Sequence, residues 1–275
     1  MADGLVKVAE GVDYSAGWST ALVNKIEKAG YTFAVRYIGT PGRGKSLRSE
    51  EVEYLRARGI EVVSVYEDRE GTALEGFSRG AKDARKALED AISLGMPAGR
   101  PIYFAVDTDT TVARVREYFL GVCSVLPHQQ VGVYGGYWIV KGLADEGLAT
   151  WLWQTRAWSK VKGKVRWDER IHLAQFPKSS NDVVLGVCDL DWALKADYGQ
   201  WGEPPGEENE LNDEDRKLLK ETNELLKLSR VTQVTVSNDT EALIAQLRGD
   251  PELADKLLAD AKLAGKTERA RLFPK

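Results

Sequence analysis

The stretch IYFAVDTDT, residues 102–110, is an apolar run that meets two aspartates placed two residues apart. Its apolar part predicts a strand buried in a parallel sheet, because a strand covered by helices on both sides shows no polar alternation. Seven other stretches read the same way: VAEGVDY (8–14), TFAVRYIG (32–39), IEVVSVYE (60–67), QVGVYGG (130–136), TWLWQT (150–155), IHLAQF (171–176) and VLGVCDLDW (184–192). Polar, periodic stretches lie between several of them. SEEVEYLRARG (49–59) opens on Ser49, carries acids in its first turn and stops at Gly59, which predicts a helix. EGFSRGAKDARKALEDAISLG (75–95) and WSTALVNKIEKAG (18–30) carry apolar residues at helical spacing.

Eight strand units in about 200 residues predict an α/β fold, a compact and partly degenerate (β/α)8 TIM barrel. The connections before the seventh and eighth strands are too short or irregular for full helices. No Gly-rich phosphate loop follows the first strand, which argues against an open doubly wound sheet. After the barrel (1–200) the composition changes. WGEPPGEENE predicts a linker over 201–210, and 211–275 predicts a small, mainly helical region. Leu211, Leu218 and Leu225 recur seven apart, so residues 211–228 are a candidate for homo-oligomerisation through a short coiled coil, or for a helix packed on the barrel.

Composition narrows the function. The 275 residues carry a formal net charge of −4, which argues against nucleic-acid binding as the main task. No apolar run reaches the length of a membrane span, and the N-terminus shows no basic start followed by an apolar segment. Two cysteines, Cys123 and Cys188, and two histidines, His128 and His172, stand in no metal-type spacing and near no nucleophile motif. They predict buried thiols and structural imidazoles, with neither metal nor cofactor.

Chemistry in a closed parallel barrel gathers at the C-terminal strand ends. There the sequence places Asp13, Arg36 and Tyr37, Glu67, Asp107 and Asp109, Tyr134, Trp153 and Gln154, Gln175, and Asp189 and Asp191. Residues two apart on a strand share a face, so Asp107 and Asp109 are expected to point together into the barrel mouth. Clustered carboxylates raise one another's pKa, and one that keeps its proton beside one that does not is what glycoside cleavage requires. A D-x-D pair by itself also suits a divalent cation or a helix cap. Tyrosines and tryptophans near the strand ends suit the C–H faces of sugar rings.

The motifs GVDYS, FAVRYIG with a following Lys45, IYFAVDTD, VGVYGGY, WLWQTRAW, HLAQF and CDLDWA, in that order over residues 9–195, resemble the glycoside-hydrolase-like barrel family catalogued as domain of unknown function 1906. That family is a relative of the family 25 glycoside hydrolases, the Chalaropsis-type lysozymes. The resemblance implies a site of Asp13, Asp107, Asp109 and Asp189, with Asp109 where the lysozymes carry a general-acid Glu. Asp is one methylene shorter, and Glu67 is the candidate to supply the longer acid. Arg36, Tyr37, Tyr134, Trp153, Gln154, Gln175 and Asp191 are the expected substrate contacts. The resemblance further implies a peptidoglycan or related wall glycan as partner. Two expectations follow: a lysozyme-like hydrolase, made without a signal peptide as a phage lysin or virion component and acting at an actinobacterial wall, or a catalytically weak glycan-binding barrel. A third, a structural assembly protein, rests on residues 211–228.

Overall fold

A computed structural model describes residues 4–40, 44–176 and 186–202. They belong to a compact unit spanning residues 1–206. The expected helical region at 211–275, its oligomerisation segment at 211–228 and most of the expected linker lie outside the described residues.

Eight strands close into a barrel: β1 (Ala9–Asp13), β2 (Phe33–Ile38), β3 (Glu61–Tyr66), β4 (Ile102–Ala105), β5 (Val131–Gly135), β6 (Trp151–Thr155), β9 (Leu173–Phe176) and β10 (Asp189–Ala193). Around the ring the order is β1-β10-β9-β6-β5-β4-β3-β2. Each overlaps a stretch that the sequence marks as a strand, but β4 stops four residues short of the strand expected over 101–109, and β10 begins five residues into the one expected over 184–192. Between β6 and β9 a small hairpin, β7 (Lys160–Val161) with β8 (Lys164–Val165), stands where a full βα unit would put a helix. Among the described residues, five α-helices cover the barrel: α1 (Thr20–Lys28), α2 (Ser49–Arg56), α3 (Phe77–Ser93), α4 (Val112–Cys123) and α5 (Tyr137–Asp145).

Neighbouring strands pair in parallel except at β10, which runs antiparallel to both β1 and β9. A parallel strand needs a crossover of a dozen or more residues, usually through a helix. β10 instead pairs antiparallel with the strand that precedes it in the barrel, so it starts at the barrel mouth and descends. Asp189 therefore opens β10 rather than ending it, level with Asp13, and Asp191 lies one inward-facing layer deeper, opposite Gly11.

Side chains alternate along each strand between two cores. The inner one is built of Phe33, Val35, Val63, Val65, Tyr103, Tyr134, Trp153 and Leu173 with their neighbours. The outer one lies between strands and helices, and includes Ala34, Ile38, Val62, Phe104 and Val133. Gly11 makes room in the inner layer: a Cβ there would fall 2.4 Å from the Phe33 ring. Helices α3 and α4 cross closely at Gly80 and Gly121, where a Cβ would lie 1.9 Å from the Tyr118 carbonyl oxygen and 2.1 Å from that of Phe77.

Residues 201 and 202, expected to open a linker, are packed against the barrel instead. Trp201 is buried, its backbone N–H donates to Val62 at 2.8 Å, and its indole N–H donates to Ser64 Oγ at 2.7 Å. Gly202 N–H reaches Glu61 Oε2 at 2.7 Å. These contacts tie residues 201 and 202 to the outside of β3.

Candidate active site

At the mouth lies a pocket of about 120 Å³, lined by Asp13, Tyr37, Val65, Glu67, Ala105, Asp107, Tyr134, Trp153, Gln175 and Asp189. All eight barrel strands contribute, through a residue in the strand or just beyond its end. Around the ring run Asp13 (β1), Asp189 (β10), Gln175 (β9), Trp153 (β6), Tyr134 (β5), Asp107 (after β4), Glu67 (after β3) and Tyr37 (β2). The carboxyl groups thus form two pairs. Asp13 and Asp189 stand on adjacent strands, as do Glu67 and Asp107. Gln175, Trp153 and Tyr134 separate the pairs on one side and Tyr37 on the other.

The first pair rests on a hydrogen-bond relay. Tyr134 O–H donates to Gln175 Oε1 at 2.8 Å, and Gln175 Nε2 donates to Asp13 Oδ2 at 2.8 Å. The Tyr134 and Trp153 rings pack with centroids 4.4 Å apart, and Trp153 Nε1 donates to Asp191 Oδ1 at 2.8 Å. Burial and the charge of Asp189 push the Asp13 carboxyl up to about 6. The hydrogen bonds from Gln175 and Asp191 and the field of Arg36 oppose that rise.

In the second pair, burial and then the charges of Glu67 and Glu70 push Asp107 up to about 6 as well, with Lys45 acting against them. Lys45 Nζ lies 2.8 Å from Glu67 Oε2 and 4.5 Å from the centre of the Tyr37 ring. This lysine, 22 residues from Glu67 in the chain, follows the β2 motif in the sequence but is not among the expected site residues.

Four expected site residues sit elsewhere. Arg36 alternates with Tyr37 and so points outward, fully buried beneath α2. Its Nε lies 2.6 Å from Glu51 Oε1, its Nη2 lies 3.2 Å from Glu51 Oε2, and its Nη1 donates to the Tyr14 carbonyl. Gln154 alternates with Trp153 and also points outward. Its Nε2 donates to Ser159 Oγ at 2.8 Å and to the Arg166 carbonyl at 2.7 Å, and its Oε1 accepts from Asp168 N–H at 3.0 Å. Asp109 lies outside the pocket lining on an exposed turn, because β4 ends at Ala105 and the pleat does not carry on to it. Asp191 is wholly buried below the pocket floor rather than at the mouth.

His172 packs on Trp151 and accepts from Leu152 N–H, and burial lowers its pKa to about 4. His128 is exposed and bonded to the Gly147 carbonyl. Cys123 is half-buried and Cys188 buried, and the two are not joined in a disulfide. Among the described residues, no group of three or more His, Cys, Asp or Glu is placed to hold a metal ion, and no helix is long and apolar enough to cross a membrane.

A family model described as "Rv2525c-like, glycoside hydrolase-like domain" matches residues 24–200. The chain belongs to this family. β1, with Asp13, precedes the matched residues. Rv2525c of Mycobacterium tuberculosis (strain ATCC 25618 / H37Rv), provisionally named a peptidoglycan hydrolase, is 30% identical over 204 residues, covering 69% of this chain and 82% of that protein. Crystal structures of that Tat-secreted protein with HEPES and with L-tartrate match this Rv2525c-like barrel with TM-scores of 0.62 and 0.63. They are 30% and 29% identical and cover 70% and 71% of this chain and 99% and 100% of theirs. An uncharacterized B. stearothermophilus protein, 16% identical with a TM-score of 0.52 over 67% of this chain and 95% of its own, shares the fold.

Proposed function

We propose that this Rv2525c-like barrel is a peptidoglycan-directed glycoside hydrolase of lysozyme type. The observation that carries the reading is the division of the pocket carboxyls into two pairs, set apart by β2 on one side and by β5, β6 and β9 on the other, each pair holding one group raised to about 6. Cleaving a glycosidic bond needs a proton for the departing oxygen and a carboxylate facing the oxocarbenium centre. In this reading Glu67 and Asp107 share the proton that is delivered, and Lys45 keeps the dyad from holding it too tightly. Asp13 and Asp189 supply negative charge from the other side. Tyr37, Tyr134 and Trp153 line the space between, where aromatic rings suit a pyranose.

Assigning the proton to Glu67 and Asp107 removes the need for Asp109 as the acid. The kinship with family 25 lysozymes, implied by the motifs, supports this reading, as does the name given to the mycobacterial relative. The relatives described above are bacterial and one is Tat-secreted, which supports action at the bacterial envelope; the phage setting draws no support from them.

The test is release of reducing ends from purified actinobacterial peptidoglycan. Wild type and Asp109→Asn are expected to release them, whereas Asp107→Asn and Glu67→Gln lose most of the activity. A wild-type protein that pellets with the wall but releases nothing would overturn the hydrolase reading in favour of a glycan-binding barrel.

A further inference from the structure

Asp191 is the most completely buried carboxyl group near the pocket, at 0% exposure, and it faces neither solvent nor the pocket space. One oxygen is satisfied: Oδ1 accepts the Trp153 indole N–H at 2.8 Å. The other, Oδ2, finds no donor among the described residues. A buried carboxylate oxygen without a donor is costly, and a proton on that oxygen removes the problem, because a carboxylic acid both donates and accepts. The acceptor for such a proton is at hand. Asp191 faces inward on β10, one layer below the level of Asp13 on the adjoining β1, and the two carboxyl groups bear on each other's protons: Asp191 favours the charged form of Asp13, and Asp13 favours the neutral form of Asp191.

We propose that Asp191 is a positioning residue that keeps a proton on Oδ2 and donates it to Asp13, holding Asp13 ionised and aimed at the pocket. Asp13 then receives two donors from inside the barrel, Gln175 Nε2 and the Asp191 O–H. Its remaining capacity faces the pocket and Asp189. The groups that bear on the pair are Arg36 and Tyr37 on β2, Tyr103 on β4, Tyr134 on β5 and Asp189 on β10. Arg36 is the cation in that set, and it is already paired with Glu51. The shared bond favours the charged form of Asp13 and the neutral form of Asp191, in keeping with Asp191 as donor. The catalytic meaning of this arrangement rests on the hydrolase reading. The proton sharing itself does not.

The test is a carboxyl-carbon NMR titration of the full chain, which needs no substrate. In wild type the Asp191 carbon is expected to keep the shift of a protonated acid through the pH range in which Asp13 titrates. Asp191→Asn keeps an N–H donor in the same place, so the Asp13 midpoint should move little. Asp191→Leu removes the donor, and the Asp13 midpoint should rise by roughly one pH unit or more. An Asp191 carbon with the shift of an ionised carboxylate at neutral pH would overturn the proposal. So would an Asp13 midpoint that is the same in Asp191→Leu as in wild type. Should the leucine variant fail to fold, the wild-type Asp191 signal still decides. Loss of hydrolysis with the titration unchanged would count against the hydrolase reading alone.

Discussion

Asp13→Asn should make the barrel more stable at neutral pH while removing a pocket carboxylate. In the folded chain Asp13 holds its proton to about pH 6, against an ordinary value of 3.8. Because the folded state binds the proton more tightly than the unfolded state, stability from this group is greatest below about pH 4 and falls as pH rises to about 6. At about 1.4 kcal/mol per pH unit, the rise from 3.8 to about 6 means that ionised Asp13 costs the fold up to about 3 kcal/mol at pH 7.5. Asparagine removes that cost, and its Oδ1 can still accept from Gln175 Nε2. The assay is thermal unfolding followed by tryptophan fluorescence, which reports the barrel because all eight tryptophans lie at or before residue 201. For a unit of this size each kcal/mol is worth about 2–4 °C, so a gain of about 3–10 °C is expected at pH 7.5, shrinking towards zero near pH 3.5. A variant less stable than wild type at pH 7.5, or equally stabilised at both pH values, would refute the reasoning.

Opposite pH shifts are expected around Asp107. Lys45→Met should move its midpoint above about 6, since Lys45 opposes the rise, and Glu67→Gln should move it back towards the ordinary value; an NMR titration checks both directions. Arg36→Met leaves Glu51 buried and unpaired and should cost about 3–5 kcal/mol in urea unfolding, with much of the loss recovered in the Arg36→Met/Glu51→Met double variant. Unchanged stability with lost glycan binding would return Arg36 to the substrate. Trp201→Ala should cost about 3–5 kcal/mol, whereas a residue in a solvated linker would cost almost nothing on the same unfolding assay.

The eight strands were legible because strands buried on both faces are short apolar runs bounded by turns, and β5, buried at every position, is the plainest case. The same property hides which face is which. Tyr37 and Trp153 look inward while Arg36 and Gln154, one residue away, look outward. With no solvent-facing side there is no polar alternation to separate them, and only the partner of each polar group does so: Glu51, or the chain at Ser159, Arg166 and Asp168. Asp109 marks a different limit, since the two-residue period holds only while the strand lasts, and β4 stops at Ala105. Chain direction is the deepest gap. A strand's apolar pattern reads alike forwards and backwards, so nothing in CDLDWA says that it descends. Run parallel, it would put Asp191 nearer the mouth than Asp189. Running antiparallel, it puts Asp189 in the pocket and Asp191 beneath it. The reversal turns an expected sugar contact into a buried acid whose partner is another acid, and that changes what its proton is for.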